Sequence, residues 1–188
     1  MKSLRLARPH AIMMVGIPGS GKTFFAEKFA ATFGAPFIDS LAIEALAKDE
    51  QSAGALIALT VGEVAKTKQT FVFEGNADSR VRRSEFARWA SSRGYRPLFV
   101  WVQTDEATSR ARTLKSKSLS REEFDTAIAR FSPPHPDEKP IVISGKHTYA
   151  SQAKVVLGHL SAEARPAAET KSSPIATPRP AARSITVR

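Results

Sequence analysis

The run Gly16-Ile17-Pro18-Gly19-Ser20-Gly21-Lys22-Thr23 constrains this chain more than any other stretch in it. It fits G-x-x-x-x-G-K-[ST] without a mismatch, a pattern that requires a strand before it and a helix after it. Glycines at 16, 19 and 21 admit backbone conformations closed to residues with a Cβ, so successive N–H groups can turn inward around a phosphate. Lys22 reaches the outer phosphates as a point charge, and the Thr23 hydroxyl can ligate Mg²⁺. The helix opened by the loop adds its N-terminal dipole, and the contacting set runs from Gly16 through Phe24. The flanks agree. His10–Val15 is a short apolar run, and Phe25, Phe29 and Phe33 recur at helical spacing with Ala26 and Ala30 beside them. Strand, glycine loop and helix stand in the required order, which predicts a nucleoside triphosphate site.

The rest of the chain reads as alternating strands and helices. Gly34 and Pro36 stop the first helix, and Pro36–Asp39 reads as a second strand with Ser40 placed to cap a helical segment after it. Apolar residues from Ala53 to Val64 predict a long helix over 50–66, after a shorter piece near 41–48. Thr70–Glu74 is a third strand. In the next helix Phe86, Trp89 and Ala90 form a stripe opposite Arg80, Arg83 and Arg88, with Asp78 or Ser79 as cap. Pro97–Val102 is apolar throughout and reads as a strand buried on both faces. Ser120-Arg121-Glu122-Glu123 is a capping box before a helix with Phe124, Ile128 and Phe131 inward. Ile141–Ile143 is a fifth strand, and Ser151–Leu160 a last helix with Val155, Val156 and Leu160 inward. Both tryptophans, Trp89 and Trp101, are expected in the core. Five strands separated by helices imply an α/β three-layer sandwich around a parallel sheet.

Composition bounds the setting. The 188 residues, 42% of them hydrophobic, suit one α/β domain. The division expected is a basic extension at 1–9, a domain at 10–160, and a basic Pro/Ala-rich tail at 161–188 with disordered composition. With no cysteine there is neither a disulfide framework nor a thiolate metal site, which fits a cytoplasmic setting. The basic start before an apolar run resembles a signal peptide, but cleavage there would destroy the phosphate loop, so export is rejected. No stretch approaches the ~20 apolar residues of a membrane span. The net charge of +10 is concentrated: residues 79–121 hold eleven basic against three acidic groups. That distribution suits polyphosphate or nucleic-acid partners, or else solvated helix faces.

Ligands on such sheets bind at the C-terminal strand ends, which puts Asp39 and Glu74 near the loop. Glu74 can hold the Mg²⁺ shell or orient a nucleophile, or it can be a capping or solvent-facing carboxylate. Asp39 can accept a proton from a substrate hydroxyl or cap the following helix. Arg110 and Arg112 lie in a basic segment that reads either as a small mobile lid at about 108–120, closing on the γ-phosphate, or as a solvated helix. His135 and His147 lack metal-site spacing and take no catalytic role.

With these residues in place the chain resembles the small P-loop kinases, in particular the polynucleotide-kinase-like group and ATP-binding proteins of the AAA family. The resemblance covers about 10–160. It rests on Gly16–Thr23, on Phe71-Val72-Phe73-Glu74-Gly75-Asn76 with an arginine-rich helix behind it, on Gly94-Tyr95 before the strand to Trp101-Val102, and on the basic segment from Arg110. It implies a 2-3-1-4-5 strand order, ATP with Mg²⁺, and γ-phosphate transfer to a hydroxyl on a nucleic-acid end, a nucleotide or a small metabolite. Two positions depart from the family pattern. Glu74 stands where Asp is usual, and an Asp followed three residues later by Arg becomes Leu41 and Glu44, with Asp39 two residues earlier. Either Asp39 substitutes from a shifted register or the acceptor site is altered. The competing reading is an ATP-dependent nucleic-acid-binding ATPase without kinase activity.

Overall fold

A computed structural model of the protein describes Leu6 and residues 8–164; the tail expected from 161 lies almost wholly outside the described residues, as does most of the basic extension. The chain forms β1 (His10–Val15), α1 (Lys22–Phe33), β2 (Phe37–Asp39), α2 (Ser40–Glu44), α3 (Glu50–Lys66), β3 (Phe71–Glu74) and α4 (Arg80–Ser92). It continues with β4 (Arg96–Gln103), α5 (Glu106–Ser116), α6 (Arg121–Arg130), a 3₁₀ turn (Pro136–Glu138), β5 (Ile141–Ser144) and α7 (Tyr149–Ala164). All pairings are parallel and the sheet runs β2-β3-β1-β4-β5.

The alternation of β1 explains the layers. Ile12 and Met14 face one way, where Phe25, Phe29 and Ala30 of α1 and Val156 and Leu160 of α7 cover them. Ala11, Met13 and Val15 face the other, under Val61 and Ala65 of α3 and Phe86 and Ala90 of α4. A strand buried on both faces can be apolar at every position, and all six residues of β1 are buried. Fully burying a phenylalanine is worth about 1.5–3 kcal/mol, so the α1 stripe Phe25 and Phe29, both at most 1% exposed, anchors the helix that carries the loop.

Local chemistry sets the boundaries. Asp39, not Ser40, caps α2, its carboxylate accepting from the N–H groups of Leu41 and Ala42. Ser79 caps α4 and Asp105 caps α5. The capping box at Ser120 and Glu123 forms as expected. Trp89 and Trp101 are only partly buried against the core, and Val155, expected inward, is exposed on α7.

The larger correction concerns Arg83. Its place among the polar positions of α4 predicts solvent, yet it is 0% exposed. Its guanidinium forks onto Glu138 (Nε to Oε2 2.7 Å, Nη2 to Oε1 3.0 Å) and donates to the carbonyls of Ala77, Ser132 and Pro133. Removing a guanidinium from water costs several kcal/mol, which only so complete a set of partners can offset. The arrangement ties α4 to the turn ahead of β5.

Candidate functional site

The loop between β1 and α1 is wedged against its surroundings. Gly19 has φ 73°, and a Cβ there would meet the Ser109 carbonyl and the Thr113 hydroxyl on α5. Gly145, just past β5, lies so close to the Ser20 carbonyl that a Cβ would overlap it, and Thr104 Oγ1 donates to the same carbonyl at 3.0 Å. Gly16 and Gly21 also have positive φ. These contacts hold the loop backbone from within the protein, and a binding loop held by its own surroundings leaves less ordering for a ligand to impose.

Three functional side chains converge at this point. Thr23 Oγ1 donates to Glu74 Oε1 at 3.1 Å, and Lys22 Nζ lies 3.9 Å from the same oxygen. Lys22 Nζ also donates to the Ile17 carbonyl at 3.1 Å. Glu74 is 4% exposed and its Oε2 has no hydrogen-bond partner. Burial pushes the Glu74 carboxyl above its ordinary value, against the Lys22 charge and the Thr23 hydrogen bond, with Asp39 and Glu27 adding to the rise. Burial likewise lowers Lys22, with the Glu74 charge opposing. A phosphate beside Lys22 and a cation beside Glu74 would each oppose the effect of burial and favour the ionised form. Two hard oxygens, the Thr23 hydroxyl and Glu74 Oε2, suit Mg²⁺, which takes few protein ligands and keeps substrate phosphates and water. Among the described residues no cluster of three or more acidic or histidine side chains is arranged to hold a metal by itself.

Asp39 pairs in register with Glu74 across β2 and β3. Its Oδ1 takes the two capping bonds, at 3.0 and 3.3 Å, which leaves Oδ2 without a protein hydrogen bond among the described residues. The two arginines part company. Arg110 is held by Glu106 (2.8 Å) and Asp125 (2.6 Å) and stacks on Phe124. Arg112 donates to the Gly145 carbonyl at 3.1 Å and faces the loop.

Two clefts flank this centre. One, of about 480 Å³, is bordered by Lys22, Thr23, Phe24, Arg112, His147 and Gln152. The other, of about 760 Å³, lies over the β2–β3 side and is bordered by Ser40, Glu44, Glu50, Phe73, Arg82 and Glu85. Sequence reasoning missed Gln152, which is 3% exposed, donates to the Ser144 carbonyl and leaves Oε1 unpartnered. It also missed the small residues Ser109 and Thr113 that seat the loop. Neither set belongs to a motif; both are brought to the loop by the sheet, which sets β4 beside β1 and β5 beside β4.

A family model described as an AAA domain matches residues 12–134. No curated protein matches the chain in sequence. Among solved structures the chain is similar to a gluconokinase from Sinorhizobium meliloti 1021 (19% identity, TM-score 0.63, 83% of this chain and 94% of that one). It is also similar to the Mycobacterium tuberculosis APS kinase CysC in complex with AMPPNP and APS (15%, 0.60, 82% and 98%). A third is Chaetomium thermophilum Kti12 in complex with ADP-AlF3 (14%, 0.64, 81% and 98%). At these identities the likeness is one of fold, and it agrees with the 2-3-1-4-5 parallel sheet.

Proposed function

Since the chain belongs to the AAA-domain family matched over residues 12–134, we propose that it is an ATP-dependent kinase that phosphorylates a hydroxyl compound. The observation that carries this reading is the Lys22–Glu74–Thr23 cluster at the mouth of a preformed phosphate loop, between two clefts. The smaller cleft takes the nucleotide and the larger one the acceptor.

In this reading the loop N–H groups and Lys22 hold the β- and γ-phosphates. Thr23 and Glu74 would hold Mg²⁺, which would supply charge neutralisation at the phosphate oxygens. The acceptor oxygen forms a bond to the γ-phosphorus as the bond to the β–γ bridging oxygen breaks and ADP leaves. The acceptor proton passes to the free Oδ2 of Asp39, whose other oxygen is fixed by the α2 cap. Phosphoryl transfer is mostly positioning and charge stabilisation, so a carboxylate held by backbone bonds suits the role. Arg112 supplies positive charge from the nucleotide side. Arg110 joins it only after release from Glu106 and Asp125.

The test is transfer of label from γ-labelled ATP to an acceptor panel in the presence of Mg²⁺. Label in an acceptor is the expected result; label recovered solely as free phosphate, with ATP still bound, overturns the kinase reading. Replacing Lys22 by Ala should weaken ATP binding about 10- to 100-fold, the loss of one or two charge-assisted contacts.

A further inference from the structure

The smaller cleft is bordered by an acceptor that the protein leaves without a donor. Gln152 lines this cleft and is 3% exposed, and its Oε1 is buried with no hydrogen-bond partner among the described residues. The side chain is held at both ends. It stands near the start of α7, where its backbone N–H donates to the Thr148 carbonyl at 3.1 Å. Its amide reaches back to the end of β5 and donates from Nε2 to the Ser144 carbonyl at 2.7 Å. Only the nitrogen of an amide can donate to a carbonyl, so this bond fixes which atom is which. Oε1 is therefore an acceptor that cannot be exchanged for a donor without breaking the bond to Ser144.

A buried acceptor without a donor costs stability, and each one in a folded protein calls for an explanation. Of the other three such atoms among the described residues, the reading above gives Glu74 Oε2 to Mg²⁺, and the hydroxyls of Ser20 and Ser109 do not border the cleft. Gln152 Oε1 remains. The same cleft carries Lys22 and Thr23 of the phosphate loop and the ring of Phe24, which is 48% exposed. Lys28 Nζ lies 4.5 Å from the centroid of that ring. Charge for phosphates, an aromatic surface for a flat base and a fixed acceptor thus border one cavity of about 480 Å³, within the size range of small-ligand sites.

From this juxtaposition, and resting on the reading that the smaller cleft takes the nucleotide, we infer that Gln152 selects the base, its Oε1 accepting a hydrogen bond from the exocyclic 6-amine of adenine. Guanine and hypoxanthine carry an oxygen at that position, which sets acceptor against acceptor. A purine with no substituent there leaves Oε1 as unpartnered as before. Oε1 is already out of water in the free protein, so the bond to the amine is gained without further desolvation on the protein side.

The experiment titrates the full-length protein, with Mg²⁺ and no acceptor, with ATP, GTP, ITP and purine riboside triphosphate, which keeps the ring system and lacks the amine. ATP is expected to bind about three- to tenfold more tightly than each of the others, the worth of one hydrogen bond to a buried acceptor. Gln152→Met, similar in length and without the amide oxygen, should bring ATP down to the level of purine riboside triphosphate and leave the latter unchanged. A loss shared equally by ATP and that analogue marks a structural role for Gln152 and overturns the inference. Equal affinities of the wild-type protein for all four nucleotides, or tighter binding of GTP or ITP, overturn it as well, and this comparison needs no variant to fold. No transfer is measured, so the inference and the kinase reading fail separately. Nucleotides that bind without discrimination sink the first alone; ATP that binds selectively yet labels no acceptor sinks the second alone. Failure of every nucleotide to bind overturns both.

Discussion

Substitution separates fold from function at Glu74 and joins them at Gly19. Burial pushes the Glu74 carboxyl up, so the ligand-free protein bears a cost for its charge that a neutral side chain avoids. Glu74→Gln is expected to raise the melting temperature of the ligand-free protein while abolishing Mg²⁺-dependent phosphate transfer. Calorimetry beside a transfer assay checks both, and a lower melting temperature contradicts the account. Gly19→Ala acts the opposite way. It puts a Cβ at φ 73° against Ser109 and Thr113, and should cost about 1–3 kcal/mol of stability together with nucleotide binding. Chemical denaturation and ATP titration measure the two losses.

At the scale of elements the Arg83–Glu138 fork is the contact whose loss should be felt farthest from its own helix. Arg83→Met leaves Glu138 largely buried without its cation, and breaking such a pair typically costs about 3–5 kcal/mol. The pH dependence has a definite sign. Burial pushes the Glu138 carboxyl up, but the Arg83 hydrogen bonds, the His135 N–H and the charges of Arg83 and Arg80 outweigh it, so the folded value is depressed. Its contribution is therefore present above the unfolded value of about 4.3 and lost as pH falls through the folded one. The difference in unfolding free energy between wild type and Arg83→Met should hold near neutrality and shrink in acid; a difference independent of pH refutes the linkage. This is also where sequence and structure part. The α3 bounds, the capping box at Ser120 and the fully buried β1 follow from spacing, because periodicity and caps are local. Arg83 could not be read that way. Its burial depends on Glu138, 55 residues on, and no helical period encodes a partner at that distance.

Across the whole molecule, the order β2-β3-β1-β4-β5 sets the loop at the centre of the sheet and separates the two clefts by the strands on either side of it. The loop and its two neighbouring carboxylates were legible because a motif and strand ends mark them. The clefts were not, since each is bordered by segments that only the sheet brings together. Hydrogen exchange should register this division. AMPPNP with Mg²⁺ is expected to slow exchange at 16–24 and 145–152 and to leave 44–57 nearly unchanged; protection over 44–57 would place the nucleotide in the wrong cleft. The contact of Gly19 and Gly145 with their surroundings has a consequence for how such a protein diversifies. A loop with no room for a Cβ at Gly16 or Gly19, seated against a Gly145 that has none either, cannot accept a side chain at those positions without its neighbours moving. The cleft over β2 and β3, rimmed by the short α2 and by exposed side chains, carries no such restriction. New chemistry can therefore be acquired on the receiving side while the donating side stays fixed, and the family's variety is expected to be written in residues 40–57 and 76–85 rather than in 16–23.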